Sequence, residues 1–397
     1  MNPTIDVDPT QPLPGPPDPW AATDQPSHRD GPPFHMTEMI AAEPSITERI
    51  LARAADDAAA RALAASVVAT ISAGDPVIAT GCGTSEHGAL AVAEILSEAT
   101  GSALVATAQA FELSLDPPSR GLVIGISHEG GTTATNAALR AARHAGASTA
   151  IITVTRRSPG GALADIVVET HELDRSWCHT VGYLSPIAAA AGVAGVISGT
   201  AIEPEVGASL VAAGLGSGAM GQAEAVATGL AGVERLLVVA SGADRIAGRE
   251  LTLKVEEGAW MPAAYRDLET FLHGHLAATD AATGLIVIAA DRRARDGRAA
   301  RIRGVLAAAR VIGMPTAAIV SEDYGAAIAG DLTSVGRVVV PEAPADVPAA
   351  IAALLSTATP LQLVTERLAR ARDINPDPIH RDVDAYRLAA DAADEAG

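Results

Sequence analysis

Lysine is almost missing from this chain of 397 residues. Lys254 is the only one, and Arg or His supplies every other basic side chain. Cysteine is nearly as scarce. Cys82 and Cys178 exclude a disulfide framework and a four-thiolate zinc site. Aromatic residues make up 3%, so the core must be packed mainly with small aliphatic side chains. Positive charge is outweighed, with 28 Lys and Arg against 47 Asp and Glu and a formal net charge of −19. Such a chain lacks the basic patch that a nucleic-acid partner needs. It also attracts no anion from a distance, so any phosphate site must be built locally. No apolar run reaches the ~20 residues of a membrane span. Residues 186–200 come nearest, contain three glycines and read as a buried helix, so no membrane partner is expected. No basic segment followed by an apolar one opens the chain, so no signal peptide is expected, and a reducing cytoplasm is the expected location. There is no Gly-x-x-x-x-Gly-Lys-Ser/Thr, and Gly81-Cys-Gly83 lacks the third glycine of a dinucleotide fingerprint, which argues against a nucleotide enzyme.

What is present has a rhythm. Residues 1–35 are rich in proline and poor in branched apolar residues, which predicts a disordered tail. Helices are predicted at 36–52 and 54–71. Strands at 77–80, 103–107, 122–126, 149–154 and 166–169 then alternate with helical stretches, ending in a helix at 181–199. The pattern restarts after the Gly/Ala-rich 207–221, with strands at 236–240, 285–289, 316–320 and 338–340 and helices around 254, at 298–311, 349–356 and 361–371. Strands alternating with helices imply α/β units, each a mainly parallel sheet covered on both faces. The expected organisation is a tail (1–35), a first unit (36–210), a second unit (211–360) and a C-terminal helix and tail (361–397).

Open parallel sheets bind ligands beyond the carboxyl ends of their strands. Two polar loops sit there: Gly81-Cys-Gly83-Thr84-Ser85 and Ser127-His128-Glu129-Gly-Gly-Thr132. Each opens a helix, where backbone N–H groups and the helix dipole favour an anion. Ordinary N-capping would explain one such loop; two in one unit favour an oxyanion pocket. Further along, Glu250, Lys254 and Glu257 share one face if 244–259 is helical. An exposed Glu–Lys pair is the plain alternative. A lone lysine in an arginine-writing chain instead suggests a role that needs an ammonium, which can shift its pKa and transfer a proton.

These motifs resemble the phosphate-binding loops of the sugar-isomerase (SIS) family. The segment from Glu250 to His273 resembles the active-site stretch of the isomerase half of glucosamine-6-phosphate synthase, with Glu250, Lys254, Glu257 and His273 in the places of that family's Glu, Lys, Glu and His. The segment from Met36 to Pro44 is similar to the entry into the same half. The resemblance covers about residues 36–380 and implies two tandem SIS domains, each a flavodoxin-like three-layer αβα unit. It implies that Glu257 is the base moving a proton between C1 and C2 of an open-chain sugar, tuned toward neutrality by burial. Lys254 would hold or protonate sugar oxygens, or meet an imine. His273 would assist ring opening from the neighbouring subunit, which implies a homodimer. Gly83, Thr84, Ser85, Ser127, His128, Thr132 and Thr180 would line the phosphate and sugar site. It also implies that the synthase's glutaminase half is absent from this chain.

The departures matter as much. Glu129 replaces a usual Ser, and a carboxylate beside a phosphate dianion is repulsive in a dry site, so the ligand is left open between a sugar phosphate and an unphosphorylated or amine-bearing sugar. Trp177-Cys178-His179 replaces a small-residue run before Thr180 and reshapes the pocket. The family's C-terminal lysine is missing, with His380 or Arg381 as substitutes. The expected partner is a small-molecule sugar or sugar phosphate. No cofactor is required, and the acidic residues are not spaced as a metal-ligand set. Aldose–ketose isomerisation and amino-sugar deamination stay open, with a non-catalytic sugar-phosphate-binding regulator as the alternative.

Overall fold

A computed structural model describes Arg29, residues 31–54 and residues 56–396. Residues 1–28 and 30 of the predicted tail lie outside the described residues. Packing starts ahead of Met36: Arg29 pairs with Glu38 at 2.9 Å, and Phe34 is buried.

Two helices, α1 (His35–Ala54) and α2 (Ala58–Ser72), precede the first sheet. The first unit then runs β1 (Val77–Gly81), α3 (Thr84–Thr100), β2 (Val105–Gln109), α4 (Ala110–Leu115), β3 (Leu122–Ile126), α5 (Thr133–Ala145), β4 (Ser148–Thr153), β5 (Ile166–Glu169) and α6 (Val181–Ser198). The chain crosses through α7 (Pro204–Ala212) and α8 (Ser217–Leu230), so the Gly/Ala-rich stretch is helical rather than a linker. The second unit runs β6 (Arg235–Ala240), α9 (Asp244–Ala259), β7 (Ala263–Asp267), α10 (Leu268–Leu272), β8 (Thr283–Ala289), α11 (Arg295–Ile312), β9 (Thr316–Ser321), α12 (Glu322–Ala327) and β10 (Gly336–Val340). Helices α13 (Ala349–Ala371) and α14 (Asp384–Ala396) complete the described chain.

Both sheets are five-stranded and parallel, in the orders β2-β1-β3-β4-β5 and β10-β9-β8-β6-β7. Numbered from its own first strand, each has the order 2-1-3-4-5, the flavodoxin-like arrangement. The fold is therefore α/β with two tandem flavodoxin-like units. The central strands β3, β8 and β9 are buried along their whole length, as expected where helices cover both faces of a parallel sheet. Strand β7 was not predicted. It is a half-buried edge strand of sequence Ala-Ala-Tyr-Arg-Asp, too short and polar to show a strand pattern.

Two expected helices, 349–356 and 361–371, are one. Helix α13 runs straight through Pro360. A proline inside a helix forfeits one backbone hydrogen bond, but here the neighbouring turns are buried on all sides. Thr359 donates to the Val211 carbonyl at 2.6 Å, tying the proline turn to α7. This helix packs against α7, α8 and α9, and against α1 and α6 of the first unit, so it belongs to the shared core of both units. Helix α6, the most apolar of the chain, is also buried there.

Candidate active site

In a 2-1-3-4-5 sheet the strand order reverses between the first and third strands, and the crevice beyond them is where ligands bind. In the first unit those strands are β1 and β3. A cleft of about 240 Å³ opens there, lined by Cys82, Gly83, Thr84, Ser85, His128, Glu129, Gly131, Thr132, Trp177, His179, Gly182, Glu257, Ile379 and Arg381.

Two helix N-termini face it. Gly83, at φ +57°, turns the chain from β1 into α3 without a side chain to cap it. Thr132 occupies the N-cap of α5, yet its hydroxyl makes no capping bond; it lies 3.2 Å from the Ser127 hydroxyl. Side-chain capping therefore does not account for these polar residues. At α3 the Ser85 and Glu86 N–H groups already donate to the Cys82 and Gly83 carbonyls, so an anion there would draw on the N–H groups ahead of them and on the hydroxyls. Ser127 is buried beneath the cleft rather than on its wall.

The opposite wall comes from the second unit. Helix α9 packs on α3 and carries Glu250, Lys254 and Glu257 on one face. Lys254 is completely buried, with its Nζ 2.5 Å from Glu257 Oε2 and 3.6 Å from Glu250 Oε1. Glu250, also buried, accepts from the Thr84 hydroxyl at 3.4 Å and meets His87 Nδ1 at 2.6 Å. Burial alone would raise the Glu250 carboxyl, but the charge of Lys254 and the His87 hydrogen bond outweigh it and hold it below the ordinary range. Burial opposes the Lys254 ammonium, and the two carboxylates overcome this and push its pKa up. The shift is upward, so this lysine keeps its proton. It is a compact charge held between two carboxylates. Only Glu257, a quarter exposed, reaches the cleft.

A second polar cluster forms the floor. Asp174 is buried, and its carboxylate accepts the backbone N–H groups of Ser176 at 3.0 Å, Thr180 at 2.7 Å and Gly182 at 3.1 Å. It lies 3.6 Å from His179 Nδ1, an ion-pair distance rather than a hydrogen bond. Burial works against this carboxylate, yet His179, His128 and the backbone donors hold it down to about 2. Burial and then the neighbouring His179 lower His128 to about 3, and its Nε2 accepts the Asp174 N–H at 2.9 Å. Burial raises Glu129, with His179 and Arg381 opposing. Arg381 lies over the Trp177 ring at 4.5 Å.

The remaining predicted residues lie elsewhere. Thr180 is buried behind the cleft at the start of α6. His273 follows α10, is exposed and bonds Glu269 at 2.7 Å, outside the cleft of its own chain. His380 turns away from the cleft and stacks between Trp260 and Tyr386. Sequence reasoning missed Asp174 and His87. The only signal for His87 was its place one turn after Thr84; Asp174 sits in a loop with no pattern.

No protein-family model and no curated protein matches the chain. Its fold does match solved structures. The C-terminal domain of glucosamine-fructose-6-phosphate aminotransferase from Francisella tularensis superposes with a TM-score of 0.72, at 16% identity, over 88% of this chain and 99% of that one. Tagatose-6-phosphate ketose/aldose isomerase from Escherichia coli gives 0.69, at 19% identity, over 89% and 96%. Glucosamine-6-phosphate deaminase from Thermotoga maritima gives 0.57, at 17% identity, over 84% and 97%. At these identities the match establishes a shared architecture: the chain has the double-SIS fold found in phosphosugar isomerases and in a glucosamine-6-phosphate deaminase.

Proposed function

We propose that this protein moves a proton between C1 and C2 of an open-chain sugar, sugar phosphate or amino sugar, with Glu257 as the base. The reading rests above all on one observation: Glu257 is the carboxylate of the buried Glu250–Lys254–Glu257 row that emerges into the cleft, facing the two uncapped helix N-termini. Aminotransfer to fructose 6-phosphate, ketose–aldose isomerisation and glucosamine-6-phosphate deamination, named for the structural relatives, share chemistry at the carbon next to a carbonyl. The same step fits here. Glu257 takes the proton from one carbon, the negative charge passes to the carbonyl oxygen, and Glu257 returns the proton to the adjacent carbon. Lys254 fixes the orientation of the base. The N-termini of α3 and α5, with Thr84, Ser85 and Thr132, hold the ligand's distal anionic or hydroxyl end. His273 serves such a cleft only from a second copy of the chain, so the reading includes a homodimer.

The test is Glu257→Gln with fructose 6-phosphate, glucosamine 6-phosphate, fructose and glucosamine in deuterated water. The wild type should incorporate deuterium at C1 or C2 of at least one of them. The variant should lose on the order of 10²–10⁴-fold in rate while still binding. Undiminished incorporation removes Glu257 as the base; binding without incorporation in the wild type makes the protein a sugar-binding regulator.

A further inference from the structure

The cleft contains an imidazole that the proposed reaction has not yet used. His179 precedes α6 and lines the cleft beside Glu129 and Trp177. Its Nδ1 is buried and turned toward Asp174, while 28% of the side chain remains exposed, so the rest of the ring edge faces the opening. We propose that His179, oriented by Asp174, is the oxygen-side proton carrier of this active site, working within one chain as the counterpart of Glu257. The proposal rests on the reading of Glu257 above and adds the second half of its proton balance.

Four observations support it. First, Asp174 cannot rotate away. Three backbone N–H groups hold its two oxygens, two of them from the opening turn of α6. A carboxylate pinned in this way fixes which edge of a neighbouring imidazole it meets. Second, the ring has a fitted seat. A Cβ at Gly182 would lie 3.1 Å from His179 Cβ and 3.4 Å from its Nδ1, so a side chain there would press on the ring by a few tenths of an ångström. Third, the nearby His128 does not compete for the proton. Its ring centroid is 5.4 Å from that of His179, and its Nε2 is already an acceptor for the Asp174 N–H, which leaves it neutral. Fourth, the charges facing His179 favour its protonated form. Burial and Lys254 oppose the imidazolium. Asp174 in the loop and Glu257 on α9 support it, and the net shift is upward. Glu129 on the β3–α5 loop adds a further carboxyl on the same side of the cleft, with Arg381 near it.

The resulting step balances. Glu257 takes the C2 proton of an aldose as the His179 imidazolium gives its proton to O1, leaving a neutral enediol. The imidazole then takes the O2 proton as Glu257 returns its proton to C1. One hydrogen has moved from C2 to C1 and one from O2 to O1, and both side chains are restored. No oxidant, metal or second substrate enters. Asp174 is a positioning residue, since it reaches the substrate only through His179.

The experiment uses the full chain. Imidazole NMR signals are titrated in the wild type, with His179→Gln for assignment. The His179 signal should titrate above the ordinary histidine value of ~6.5 and move down in Asp174→Asn. With whichever of the four sugars above is converted, His179→Gln should lower kcat by on the order of 10²-fold with little change in KM. Its alkaline limb should disappear, because the acid is lost as pH rises through the His179 pKa. Asp174→Asn should keep the limb but shift it to lower pH, which a merely structural role would not do. A His179 signal titrating at or below the ordinary value overturns the proposal, as does wild-type turnover with an unchanged pH profile in His179→Gln. Failure of the Glu257 reading looks different: Glu257→Gln would remain active while His179→Gln did not.

Discussion

The two units share one topology but use its switch-point crevice in opposite ways. Beyond β1 and β3 the crevice is open, and two helix N-termini face a cleft. Beyond β6 and β8 the protein fills the equivalent place with its own carboxylates. Asp244, at the start of α9, accepts the N–H groups of Ala290 and Asp291, both at 2.9 Å. Asp291 accepts the Ala243 N–H at 2.9 Å and pairs with Arg293 and Arg298. The second crevice is filled by the chain's own carboxyl groups; the proposed site would take its anionic or hydroxyl group from a ligand. Arg293 also reaches Glu94 on α3 at 2.7 Å, so the filled crevice braces the helix that frames the open one. Helix α9 joins the two. Its first residue closes the crevice of its own unit, and thirteen residues on, about 20 Å away, Glu257 enters the cleft of the other. In the proposed reading a duplicated fold yields one site, with the second unit contributing the base.

The largest effect should come from cutting this link. Lys254→Met leaves two carboxylates facing each other, with Glu250 fully buried, and should cost roughly 3–5 kcal/mol in denaturant unfolding. A change below about 1 kcal/mol would mean that the ammonium is dispensable to the α9–α3 contact. The next effect compares equivalent glycines. Gly242 and Gly83 each stand two residues past the end of the first strand of their unit, at φ +67° and +57°. A Cβ at Gly242 would lie 2.4 Å from Asp291 Oδ2, whereas at Gly83 it meets open space. Gly242→Ala should therefore cost about 4 kcal/mol and Gly83→Ala about 2 kcal/mol, the strain of the backbone alone. Equal costs in thermal unfolding would break the contrast between filled and open crevices. The smallest effect concerns Glu129, the carboxylate that the first unit itself places in the open cleft. Glu129→Ser should tighten fructose 6-phosphate binding by on the order of tenfold, about 1.4 kcal/mol. Unchanged affinity by calorimetry would mean that Glu129 does not oppose a phosphate.

The sequence showed the open crevice better than the filled one. Strand, glycine and hydroxyl residues come in immediate succession at 77–85 and 122–132, so chain-local rules were enough to place both loops, and β3 and β5 have the bounds read from the sequence. Lys254 stood out because the chain has no other lysine. Asp244 and Asp291 are 47 residues apart and look like ordinary solvated carboxylates until β6 and β8 pair. Asp174 is equally unremarkable in sequence, because its importance comes from three N–H groups that converge only once α6 has formed. The expected gap between the helices at 349–356 and 361–371 is closed in the structure, because local propensity cannot register burial on every side. The direction of the Lys254 shift was not legible either, because it depends on how close its two helix-mates sit, and they push it upward.

The central claim is that the molecule holds one ligand, in the cleft of the first unit and not in the crevice of the second. Backbone amide NMR during titration with the probe sugar that most raises the melting temperature tests it most directly. The account predicts shifts at residues 83–86 and 129–133, saturating at one ligand per chain, with residues 242–244 and 290–292 unmoved. Shifts centred on the second crevice, or no response to any of the four sugars, would contradict it.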